Sequence, residues 1–296
     1  MFDVVNPDPR GFTPAYREGM AHRGADRARH AGSQLPDGPV AISTGTAEVV
    51  RDGPWHVTLL VNGVPSSSLD LADPTWLDFE YMQQMAAFLD QVPEGPLTAV
   101  HLGAGGCTLP RWLEAVRPGS SQLAVDVDAE LVRLVRDWFG LPRAPRLRLR
   151  AQDARAALEG LPDHSADVVI RDVFAGDGTP PALCTIEFVQ HVARVLRPGG
   201  LYLANCADRP PLRMARAEAA TVAAVMADVA LVAEPAQIKG RRYGNLVVAG
   251  VPAGEFASLG SPPLARALRC LPVPAQLLHG GELEAFTIGA PVLRDP

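Results

Sequence analysis

From residue 98 onward, short apolar runs alternate with stretches in which apolar residues recur every three or four positions. The runs are TAVHLGAG (98–105), QLAVDVD (122–128), RLRLRAQDA (146–154), ADVVIRDVF (166–174), LYLANCAD (201–208), ALVAEPA (230–236) and GNLVVAG (244–250). Between them, 108–116, 129–139, 182–196 and 212–227 read as helices. Strands alternating with helices predict βαβ units and a parallel sheet. The last two runs are joined only by 237–243, too short for a crossover helix, so they are expected to pair antiparallel.

Ahead of this series the pattern differs. Residues 41–72 look extended, with Asp52-Gly53 and Asn62-Gly63 as turn signals, and predict a small β-hairpin region. A helix is expected over 74–90, where Pro74 stands near the start and Trp76, Leu77, Tyr81, Met85, Phe88 and Leu89 line one side. Residues 1–40 are rich in Pro, Gly, Arg and Ala without a period and read as a flexible arm. Residues 251–296 are interrupted by Pro and Gly, with one helix near 262–269. The expected organisation is an arm (1–40), a hairpin and helix region (41–95), a nucleoside-binding domain (96–251) and a C-terminal extension (252–296).

The expected fold class is α/β, a Rossmann-like seven-stranded sheet with an antiparallel last strand. That arrangement resembles the class I S-adenosylmethionine transferases more than nicotinamide-binding domains, which stay parallel.

Composition narrows the function. With 47% hydrophobic and 20% charged residues the chain can bury a full core, and a net charge of −6 argues against nucleic-acid or membrane partners. No stretch approaches the roughly 20 apolar residues of a membrane helix, and the N-terminus lacks a signal-peptide pattern. Cys107, Cys184, Cys206 and Cys270 are far apart, so neither a metal site nor a disulfide framework is expected, and the chain reads as cytoplasmic. Lys239 is the single lysine, a sign of codon bias that makes each arginine less informative.

The candidate chemistry lies where apolar runs end. Gly103, Ala104, Gly105 and Gly106 form a loop that lets backbone approach a ligand above a helix N-terminus. Asp126, followed by Val127, ends the second run, where a carboxylate can accept from both ribose hydroxyls. Asp128 serves equally as the cap of the next helix. Asp153, followed by Ala154, ends the third run and can accept from an exocyclic adenine amine or cap a helix. Asp172 ends the fourth, where a carboxylate can deprotonate and align an amine whose pKa is about 10. Asp177 suits a turn. His101 reads as a core or edge side chain, Cys107 lacks a histidine partner, and Tyr81 is a packing residue with a possible substrate contact.

These residues resemble the spermidine synthases and wider polyamine aminopropyltransferases over about 57–250. Leu59 to Val64 is similar to the family's L-D-G-V turn, Phe79 and Tyr81 to its F-x-Y motif, and Asp126-Val127-Asp128 to its E-I-D. Gln152-Asp153-Ala154 is similar to its G-D-A, and Arg197-Pro198-Gly199-Gly200 to its K-P-G-G. Asp172 falls on the aspartate that opens its D-S-S-D-P loop. The stretch from Asp172 to Pro180 looks most like the actinobacterial-type branch. Four positions depart: Gly106 replaces the acid that grips the aminopropyl amine, Met82 a histidine, Ser66 a glutamine and Ala175 the second aspartate.

The resemblance implies a transferase of polyamine biosynthesis with decarboxylated S-adenosylmethionine as co-substrate and a small-molecule amine as acceptor. Asp172 and Tyr81 would be catalytic. Gly103, Ala104, Gly105, Gly106, Asp126, Val127, Asp153, Ala154 and Asp172 would bind the co-substrate. It also implies a homodimer or homotetramer. The departures keep two alternatives open: methyl or aminocarboxypropyl transfer from intact S-adenosylmethionine, and a non-catalytic nucleoside-binding interaction protein.

Overall fold

A computed structural model describes residues 35–176, 178–254 and 258–296. The arm expected over 1–40 lies almost wholly outside the described residues, as does Asp177.

The extended region forms a four-stranded antiparallel meander of β1 (Val40–Ile42), β2 (Gly45–Arg51), β3 (His56–Val61) and β4 (Val64–Asp70). Asn62 and Gly63 both adopt positive φ, 53° and 77°, as a tight hairpin turn requires. The Asn62 Oδ1 accepts from the Thr46 amide at 2.9 Å, which pins the turn to β2. Helix α1 (Glu80–Leu89) starts six residues later than Pro74 suggested. The cause is local: Asp70 accepts from the amides of Ala72 and Asp73, and Asp73 from that of Thr75. These side-chain turns compete with the helix for the same donors.

The second sheet follows the expected alternation: β5 (Thr98–Leu102), α2 (Thr108–Val116), β6 (Ser121–Asp126), α3 (Ala129–Trp138), β7 (Leu147–Ala151), α4 (Ala154–Glu159) and β8 (Ala166–Arg171). After a 3-10 turn at Pro181–Leu183 come α5 (Ile186–Val195), β9 (Leu196–Asp208), α6 (Arg213–Ala223), β10 (Asp228–Ala233), α7 (Pro235–Ile238) and β11 (Gly244–Val251). Strands β7-β6-β5-β8-β9 are parallel, and β11 enters antiparallel between β9 and β10.

The sheet has eight strands rather than seven. Residues 252–296 add α8 (Pro262–Arg269), β12 (Gln276–His279) and α9 (Gly281–Thr287), and β12 pairs antiparallel with β10. The extension thus completes the sheet edge. Its four-residue strand is too short to show a period in sequence.

Alternation along β8 and β9 divides the core. Val169, Tyr202 and Ala204 join α5 and α6 on one face; Val168, Ile170, Leu201 and Leu203 join α1, α2 and α8 on the other. Each fully buried leucine or valine contributes about 1.5–3 kcal/mol. A third cluster packs Leu59 and Leu69 of the meander against Cys107, Leu131, Val135 and Trp138, which fixes the small sheet beside the glycine loop. No helix among the described residues is long and apolar enough to cross a membrane.

Candidate active site

The carboxyl ends of β5, β6, β7 and β8 lie along one edge, where open α/β sheets bind ligands. Gly103 leaves β5 at φ +91°, and a Cβ there would stand 2.0 Å from the Asp172 carbonyl oxygen. Only glycine lets the loop touch the end of β8 this closely. The Asp172 amide donates to the Leu102 carbonyl at 2.8 Å and completes the join.

Asp126 closes the loop from the other side. Its Oδ2 accepts from the amides of Ala104 (3.2 Å) and Gly105 (3.1 Å), and its Oδ1 from that of Asp128 (3.0 Å). The side chain is half-buried, and these three bonds leave one lone pair on Oδ1 unused. Val127 beside it is 66% exposed, an apolar lip at the site. Asp153 is exposed further along the edge, where its Oδ1 caps α4 through the Ala156 amide at 2.9 Å and its Oδ2 has no partner among the described residues. Ala154 is buried in the core and contributes no side chain to this edge.

Asp128 is a structural cap. It accepts from the amides of Leu131 (2.8 Å), Ser43 (3.1 Å) and Thr44 (2.6 Å) and from the Thr44 hydroxyl (2.8 Å). Burial alone would raise its pKa, but these donors hold it below the usual aspartate value.

Tyr81 and Asp172 come together. The Tyr81 hydroxyl donates to Asp172 Oδ2 at 2.9 Å, and the Asn205 Nδ2 donates to Asp172 Oδ1 at 2.9 Å. Burial raises the pKa of Asp172, opposed by these two hydrogen bonds and the Arg171 charge. Burial, then the adjacent carboxylate, pushes the Tyr81 phenol well above its usual value, so it stays a donor. The result is an oriented carboxylate with a proton affinity above that of a surface aspartate.

Two further residues join the candidate site without having stood out in the sequence. Asn205 interrupts the apolar run LYLANCAD, and a buried amide within a strand is the signal that could have marked it. Ser67 of β4 accepts from the Gly106 amide at 2.8 Å through its Oγ. A Cβ at residue 106 would meet the Ser67 Cβ at 2.9 Å and Leu69 at 3.1 Å. The missing acid at this position therefore has a steric counterpart in β4.

His101 and Cys107 lie apart from this chemistry. His101 is buried, bonded through Nε2 to Gln122 Oε1 at 2.9 Å, and desolvation lowers its pKa to about 4. Cys107 is buried in a left-handed conformation at the start of α2, and burial pushes its thiol up to about 12.

A methyltransferase-domain family model matches residues 100–204. The crystal structure of a probable spermidine synthase from Corynebacterium glutamicum superposes with a TM-score of 0.81 at 40% identity, covering 88% of this chain and 96% of that one. The polyamine aminopropyltransferase of Chromobacterium violaceum is 26% identical over 167 residues, 56% of this chain and 64% of its own length. The eEF1A lysine and N-terminal methyltransferase of Bos taurus is 27% identical over 162 residues, 49% of this chain and 23% of its own length. The matches thus span only part of either curated relative.

Proposed function

The chain belongs to the spermidine synthase-like family of transferases, and from that membership we propose that it moves an aminopropyl group from decarboxylated S-adenosylmethionine to a small amine. The observation that carries this reading is the contact between base and nucleoside loop. Asp172, oriented by Tyr81 and Asn205, touches the glycine loop through its own backbone. A carboxylate placed there faces both a nucleoside held by the loop and an amine arriving past Tyr81.

The residues fit such a co-substrate. Asp126 has one lone pair left on Oδ1 for a ribose hydroxyl, the second Asp153 oxygen suits an exocyclic amine, and Val127 supplies apolar surface for a base. The sulfonium brings an electrophilic carbon and a neutral thioether leaving group, so no general acid is needed.

Asp172 handles the proton. An alkylammonium has a pKa of about 10 and must lose a proton before its lone pair can attack. The amine nitrogen then bonds to the aminopropyl carbon as the carbon–sulfur bond breaks and its electrons stay on sulfur. One proton is released in all, and Asp172 takes it. Its raised pKa brings it closer to the working range of a general base. Tyr81 and Asn205 hold both oxygens so that the remaining lone pairs point to the acceptor.

Gly106 sets the sharpest test, because the acid that would attract an aminopropyl ammonium is absent there. Calorimetric titration with decarboxylated and intact S-adenosylmethionine decides the matter. Tighter binding of the decarboxylated form is expected. Equal or tighter binding of the intact form would contradict the reading and point to methyl or aminocarboxypropyl transfer.

A further inference from the structure

Asp172 faces α1 from one side of the sheet. Its neighbour Arg171 faces the other side, where it meets Glu218 of α6 in an ion pair whose side chains are 0% and 2% exposed. Burying such a pair is costly, and apolar residues of the same volume usually stabilise a core at least as well. Packing alone therefore gives no reason for a full charge pair directly beneath the reacting carboxylate.

The hydrogen bonds supply one. The Arg171 Nη2 donates both to Glu218 Oε1 and to the backbone carbonyl of Asn205, the latter at 2.9 Å. The parallel register of β8 and β9 ends at Arg171–Ala204, so Asn205 lies one residue past the last pair. The guanidinium grips that residue from one face. From the opposite face the Asn205 side chain donates to Asp172 Oδ1 at 2.9 Å. Because a carboxylate only accepts, this bond also fixes which way the Asn205 amide points. One chain of contacts runs through the sheet: Glu218, Arg171, Asn205, Asp172, Tyr81.

We propose that Arg171 and Glu218 are positioning residues for the transfer reaction, clamping Asn205 from behind the sheet so that its amide holds the Asp172 carboxylate in its reacting orientation. This rests on the reading of Asp172 as the base. Glu218 contributes the counter-charge: it keeps the guanidinium in place and balances its field. The polar groups around Asp172 are Tyr81 from α1, Asn205 from β9 and Arg171 from its own strand. Those around Arg171 are Glu218 from α6, Tyr202 and Cys206 from β9, and Cys184 after the 3-10 turn, whose sulfur is 3.6 Å from Nη1.

Four variants test the clamp. Replacing both partners by methionine, R171M/E218M, removes the charges together and preserves volume. This protein is expected to keep its melting temperature and its calorimetric affinity for methylthioadenosine. Its KM for the amine should stay within about twofold, while kcat falls about tenfold or more. N205A should lose a similar factor, and combining the changes should add little, because all three residues act through one link. In E218Q the uncompensated Arg171 charge should lower the Asp172 titration midpoint, read by infrared difference against D172N, by about one pH unit. Wild-type kcat in R171M/E218M, or an unmoved midpoint in E218Q, would overturn the proposal. Absence of aminopropyl transfer by the wild-type protein would instead overturn the reading of Asp172, and the infrared midpoint would still report whether the pair is coupled to it.

Discussion

The Tyr81 hydroxyl and the Asp172 carboxylate meet at 2.9 Å across 91 positions of sequence. One comes from the helix that precedes β5, the other from the end of β8. The helix is therefore part of the site as well as of the core. Its inner face packs Met85 and Phe88 on the sheet, and its first turn delivers the phenol.

That contact sets the pH response. Both donors to Asp172 favour the ionised carboxylate, against a desolvation that raises its pKa. Y81F and N205A each remove one donor, so the acid limb of kcat/KM should move to higher pH in both. D172N should lower kcat by about a hundredfold or more, the usual worth of a positioned base. Steady-state rates across a pH series check all three.

The same carboxylate costs stability. Its folded pKa lies above its unfolded value of about 4, so between the two the folded state binds more protons. Stability therefore falls as pH rises through that window. D172N should melt above the wild-type protein near neutral pH, and the gap should close as pH falls toward about 4. Calorimetric melting at several pH values measures it.

Asp126 and Asp128 are two residues apart and should separate cleanly. D126A is expected to weaken nucleoside binding about tenfold or more, because the carboxylate shapes the loop and, on the proposed reading, accepts from a ribose hydroxyl. D128A should leave affinity nearly intact but cost about 2 kcal/mol, since four donors lose their acceptor. Asp128 has a depressed folded pKa. Its contribution is thus full above the unfolded value of about 4 and is lost as pH falls through the folded one. The D128A deficit should accordingly fade in acid, as denaturant melts at two pH values would show.

Glycine positions offer a steric test. Gly103→Ala must push against the Asp172 carbonyl at a positive φ and should destabilise by about 3 kcal/mol or more. Gly106→Asp collides with Ser67, so the acid alone should destabilise by about 1–3 kcal/mol. The pair G106D/S67G relieves the contact and should recover part of the loss in chemical denaturation.

Much of this was legible in the chain. The alternation after residue 98 announces the parallel sheet, and the short 237–243 link announces the antiparallel β10–β11 pair, because both follow from local periodicity and reach. The ends of four apolar runs fall along one edge of that sheet for the same reason. What escaped depends on distance. Asn205 acquires meaning only when β9 lies beside β8, and Ser67 only when β4 packs on the glycine loop. The start of α1 lies later than apolar spacing predicts because Asp70 and Asp73 divert backbone donors, an effect that spacing does not register. β12 carries too few residues to show a period.

The leaving nucleoside, read together with the donor that yields it, distinguishes the chemistries, since aminocarboxypropyl transfer would give methylthioadenosine from the intact donor. Aminopropyl transfer leaves methylthioadenosine, whereas methyl transfer leaves S-adenosylhomocysteine. Incubation of the protein with each donor and a small diamine, followed by chromatographic identification of the nucleoside, should give methylthioadenosine from the decarboxylated donor, and D172N should suppress it. Formation of S-adenosylhomocysteine from the intact donor, with no methylthioadenosine from the decarboxylated one, would contradict aminopropyl transfer.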